Sequence, residues 1–93
     1  MMYPFMTLND DTEITHSETL PDGRVRVYIE TPDSKDGFHH MTVYLPDYQI
    51  EEVYHYNFDE VAYFMELVRS MAHLIIPFAA GGGFENASRV QVW

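Results

Sequence analysis

At Asn57 the spacing of apolar residues changes from every second position to every third or fourth. Val61, Phe64, Met65, Val68, Met71, Ala72 and Ile75 follow at the i, i+3, i+4, i+7 spacing of an amphipathic helix. Asn57 is a good N-cap, Glu60 stands three residues on as its capping-box partner, and Asp59 suits the positive end of the helix dipole. Pro77 removes a backbone donor, so the helix either stops near Ile76 or runs on as a kinked turn to Ala80. Whatever precedes Asn57 must offer a surface on which this apolar stripe can be buried.

That surface reads as an antiparallel meander. Val25, Val27 and Ile29 alternate with Arg24, Arg26, Tyr28 and Glu30; Met41, Val43 and Leu45 alternate with His40, Thr42 and Tyr44. Thr12 to Leu20 has strand character around Ile14, and Gln49 to Tyr56 reads as a further strand of imperfect period, where adjacent Glu51-Glu52 indicate either a bulge or a strand at the sheet edge. Pro21-Asp22-Gly23 is a turn, Thr31 to Gly37 a polar loop, and Pro46-Asp47 a break. Residues 1–11 form either a frayed tail or an added edge segment, and Arg89 to Trp93 alternates as a final strand would. The expected fold is therefore a single α+β domain over residues 1–93. It consists of a meander of about four strands packed on one main helix, with a C-terminal strand.

Charge narrows the function classes. Fifteen acidic residues against five basic ones give a net charge of −10, and Lys35 is the single lysine. Nucleic acid binding needs clustered cations, and anionic membranes repel such a chain. No cysteine is present, which removes thiolate chemistry. No uninterrupted apolar run reaches a membrane span and the start lacks a signal-peptide pattern, so a cytoplasmic setting is expected. Asn86-Ala87-Ser88, a chance match to the glycosylation sequon, carries no weight in that setting.

Candidate sites are weak. Gly81-Gly82-Gly83 follows a helix and precedes Glu85, the wrong polarity for phosphate, and reads as a helix stop and hinge. His39 and His40 are adjacent and point to opposite faces of a strand, and neither His55 nor His73 lies in a metal-ligand spacing. Surface or interface histidines are therefore expected, with no metal, no cofactor and no catalytic constellation. Tyr28 and Tyr44 fall on the strand faces opposite the valines, with Tyr54, Tyr56 and Trp93 as neighbours. One helix covers one face, so a Tyr-rich open face suits an interface. The favoured function is a non-catalytic binding or assembly module that forms a homodimer or engages a protein partner. The rivals are an acidic decoy of nucleic acid that occupies a basic protein, and a small metal-dependent enzyme built on His and carboxylate.

Overall fold

The computed structural model describes residues 2–81, and within them the chain is an α+β fold of five strands and one helix. The strands are β1 (Met2–Thr7), β2 (Glu13–Ser17), β3 (Val25–Asp33), β4 (Gly37–Leu45) and β5 (Gln49–Tyr54), followed by α1 (Phe58–Ala80). They lie in the order β1-β2-β3-β4-β5, each antiparallel to the next. Every connection joins neighbours, which is what short polar turns between alternating segments dictate. The strand expected at Arg89–Trp93 lies outside the described residues.

The register settles the two faces. Ile14 pairs with Ile29, Val27 with Val43, Ile29 with Met41 and Val25 with Leu45. Directly paired residues share a face, so these side chains form one apolar surface. Against it α1 buries Phe64, Val68, Ala72, Ile75 and Ala79, with Val61, Met65, Leu67 and Met71 packed at the margin. Each large side chain so buried contributes roughly 1.5–3 kcal/mol, and this layer is the main source of stability.

Two sequence expectations are corrected, the extent of the loop after Thr31 and the end of the last strand, and two are made specific, the edge segment and the helix stop at Gly81. Residues 2–7 are an edge strand, bulged between Pro4 and Met6, whose Phe5 ring lies 6.0 Å from Phe78 of α1. Pro4 fits because an outer strand needs no donor on its free side. The polar loop expected from Thr31 shrinks to residues 34–36, because β3 and β4 stay paired as far as Asp33 and Gly37. Pro32 is tolerated there because it lies beyond Glu30, where pairing with β2 has ended. The last strand stops at Tyr54 instead of Tyr56, for reasons that the site itself makes plain. Finally, Gly81 caps α1 with φ −89°, outside the left-handed region, and its N–H donates to the carbonyl of Pro77.

The helix continues through Pro77. An interior proline costs about 3 kcal/mol in an isolated helix. Here Ala79 is buried, Phe78 meets Phe5, and the Thr19 N–H donates to the Ala79 carbonyl at 3.3 Å. Tertiary contact offsets the missing bond. Both readings of Glu51-Glu52 hold: β5 is an outer strand, and it is bulged, with Glu52 and Val53 opposite the single residue Met41 and Glu52 at φ 56°. By length and composition α1 could also cross a membrane, with a mean hydropathy of 1.3 in its most apolar window. The search for an uninterrupted run misses this because Glu66 and Arg69 divide it. A core helix passes the same test, and the Phe64–Ala79 stripe is buried on the sheet.

Candidate functional site: the open sheet face

Opposite the helix, the same alternation places polar and aromatic side chains in rows that run across the strands. Glu13, Glu30, His40 and Tyr54 are successive partners in one row; Thr15, Tyr28, Thr42 and Glu51 form the next; Arg26, Tyr44 and Gln49 form a third. No other described element covers these rows.

Rings and guanidinium groups dominate the surface. The Tyr28 and His40 rings are 5.9 Å apart, and His40 stacks on Tyr54 at 5.0 Å with the planes 20° apart. An aromatic band thus crosses β3, β4 and β5. Tyr54 is 47 % exposed at its outer end. Beside the band, the Arg24 guanidinium lies 4.2 Å from the centre of the Tyr44 ring, and Arg26 lies 5.8 Å from that of Tyr28. Such stacking favours a cation by about 0.5–2 kcal/mol, depending on how dry the site is.

Acids hold these cations in place. Arg24 donates from Nε to Asp22 at 2.9 Å and from Nη1 to Gln49 at 3.1 Å, with Asp47 at 3.7 Å. Arg26 reaches Glu52 at 3.6 Å and Thr42 at 3.5 Å. Thr42 is fully buried beneath this layer although it lies on the open face. The Tyr28 hydroxyl donates to Glu30 at 3.0 Å. Burial, this hydrogen bond and the neighbouring carboxylate push the phenol up to about 12. The arrangement offers no nucleophile paired with a base. Chemically, it is a layer of stacked rings and tethered cations.

The five aromatic residues read from sequence therefore divide. Tyr28, Tyr44 and Tyr54 are brought together on the open face. Tyr56 is not: a turn at His55 (φ 67°) carries it round to the helix side, where it is 8 % exposed and packs 4.9 Å from Phe64. Its hydroxyl shares a 2.6 Å hydrogen bond with Thr31, which shares another of 2.6 Å with the buried Thr12. Burial raises its phenol above the ordinary range. Trp93 lies outside the described residues. The alternation already put Arg24 and Arg26 on the same face as Tyr28, but their stacking on rings two strands wide had no sequence signal.

The histidines also separate. His39 faces Tyr56 on the helix side (5.8 Å) while His40 joins the open face, as adjacent strand residues must. His73 is exposed on α1. The surface reading fails for His16, which is fully buried on the helix side between Tyr3 and Phe5. Its Nδ1 bonds the Ser17 carbonyl at 2.7 Å, and Nε2 has no partner among the described residues. Three groups meet that the sequence reading kept apart. The ligand atoms of Asp33, Asp36 and His39 lie within 4.8 Å of one another.

Comparison with known proteins adds no relative: no family model matches the chain, and neither a curated protein nor a solved structure is similar to it.

Proposed function

We propose that this protein is a non-catalytic assembly module that pairs with a second copy of itself through the open sheet face. The observation that carries the reading is the composition of that face: Tyr28, Tyr44 and Tyr54 interleaved with Arg24, Arg26 and His40 over three strands. Tyr and Arg are the residue types that dominate interface hot spots, because rigid rings and flat guanidinium groups give contact area at low entropic cost. A second copy is favoured as occupant because the face carries both signs. A two-fold axis can set Arg24 and Arg26 of one chain against Glu30 and Glu52 of the other, so one self-complementary patch suffices. Net charge opposes the encounter, since each chain brings −10.

Sedimentation velocity at micromolar concentration tests this. A dimer that strengthens as salt rises, and that Tyr28→Ser, Tyr44→Ser and Tyr54→Ser each weaken, is expected. A monomer at both low and high salt rejects self-association. The decoy reading gains little from this face, where the neighbouring pair Glu13 and Glu30 is set apart from Glu51 by Tyr28, His40 and Thr42, so that no acidic stripe runs across the strands.

A further inference from the structure

The hairpin joining β3 to β4 gathers three metal-ligating side chains, Asp33, Asp36 and His39, and a fourth, His55, stands beside them. Gly37, at φ 85°, takes the left-handed conformation that lets the chain reverse within three residues. Asp33 locks the turn by accepting the Lys35 N–H (2.8 Å) and the Asp36 N–H (3.0 Å) on one oxygen, Oδ1. Its second oxygen, Oδ2, is left 3.7 Å from Nε2 of His39. Asp36 brings its own Oδ2 to 3.1 Å from the same nitrogen. Two carboxylates thus converge on one imidazole nitrogen. The imidazole side chain is 17 % exposed, the carboxylates 36 % and 42 %.

The fourth group comes from the same end of the sheet, where Tyr54 at the end of β5 pairs with His40 near the start of β4. His55, in the turn between β5 and α1, sets its ring 5.4 Å from that of His39. Two imidazoles bonded at about 2.0–2.1 Å to one tetrahedral ion have ring centres about 5 Å apart. The observed separation matches that spacing.

We propose that Asp33, Asp36, His39 and His55 form a binding site for a zinc-class divalent cation. The ligand set selects the ion. Calcium and magnesium prefer shells made wholly of oxygen, water included, and gain little from an imidazole nitrogen, whereas mixed imidazole and carboxylate donors suit zinc, cobalt and nickel. Two like-charged carboxylates within a few ångströms repel each other in a chain of net charge −10. A divalent ion relieves that repulsion more fully than one protonated imidazole can. Binding would displace the Asp36–His39 hydrogen bond and tie the β3–β4 hairpin to the segment that starts α1. His39 and Tyr56 are already in ring contact there at 5.8 Å.

The test uses the full chain freed of metal with a chelator. Zinc chloride is titrated in a calorimeter, and cobalt(II) is followed by visible absorption, which is intense only for tetrahedral coordination. One equivalent of zinc with a dissociation constant on the order of micromolar or tighter is expected. His55→Ala and Asp36→Asn change exposed residues that bury little, and each should weaken binding by on the order of tenfold or more while reducing the cobalt bands. His39→Asn should do the same, with circular dichroism checking that the fold survives. His73→Ala should leave affinity unchanged. No saturable one-equivalent uptake, or uptake indifferent to His55→Ala and Asp36→Asn, overturns the site. Equal binding of calcium at matched ionic strength overturns it too, since that would reflect general acidity.

Discussion

Tyr28 shows how one side chain connects strand register to a measurable property. Register places it on the open face, between Thr15 and Thr42. Arg26 and the neighbouring strands dry its ring, and Glu30 accepts a hydrogen bond from its hydroxyl. The folded phenol therefore titrates at about 12, above the value near 10 of an unfolded tyrosine. Its contribution to stability is complete below about pH 10 and is lost as pH rises from there to about 12, because the unfolded chain gives up the proton first. Tyr56, raised by burial, adds to the same fall. Absorbance titration of tyrosinate should show the late phenol, and Tyr28→Phe should remove it and flatten part of the alkaline loss in melting temperature. An unaltered titration in that variant would refute the assignment. His16 is the opposite case, a residue whose burial no local pattern announced, since an alternating Ile14-Thr15-His16 reads equally as solvated edge or core.

Among the elements, α1 was the most legible. Asn57 accepts the Glu60 N–H at 2.8 Å and the Glu60 carboxylate accepts the Asn57 N–H at 2.9 Å, the reciprocal pair that their spacing predicts. Asn57→Ala should cost about 1 kcal/mol. Phe64, 5 % exposed beneath the sheet, should cost about 3–5 kcal/mol when cut to alanine, because a cavity adds to the lost transfer energy. Thermal melts by circular dichroism decide both, and a negligible effect of Phe64→Ala would mean that the wrong helix face is buried. Strand limits were harder to read. Thr31-Pro32-Asp33 carries turn residues, yet the β3–β4 ladder runs through them. Turn propensity is worth less than the pairing that continues on both sides, so the ladder wins. Pro77 is the helical equivalent.

For the whole molecule, charge is the dominant long-range term. The ion pairs of Arg24, Arg26 and Arg69 are partly or largely exposed, and each such pair is worth about 0–1 kcal/mol. Self-repulsion across a chain of −10 outweighs a few of these. Stability should therefore rise as sodium chloride goes from about 0.01 M to about 1 M, over which the screening length falls from about 30 Å to about 3 Å. Melts at a protein concentration below that of any association isolate the effect. A melting temperature that falls with salt would show the ion pairs to be the stronger term.

What the sequence determined by itself was local and periodic: the helix and its cap, the turn at Gly23, the alternation of β3 and β4, and hence an α+β fold with Tyr28, Tyr44, Arg24 and Arg26 on one side. Period and capping are written within a few neighbouring residues, so no distant contact is needed to read them. The tertiary structure decided the rest. It paired residues 2–7 as an outer strand, carried the helix past Pro77 by packing Phe78 on Phe5, and turned Tyr56 inward to Phe64 and Thr31. It also set His55 beside His39, sixteen positions earlier in the chain, and His39 within 3.7 Å of Asp33. Each of these outcomes depends on which segments lie side by side. That choice rests on burying the common apolar face, a property of the whole sheet and helix together that no single stretch of residues contains.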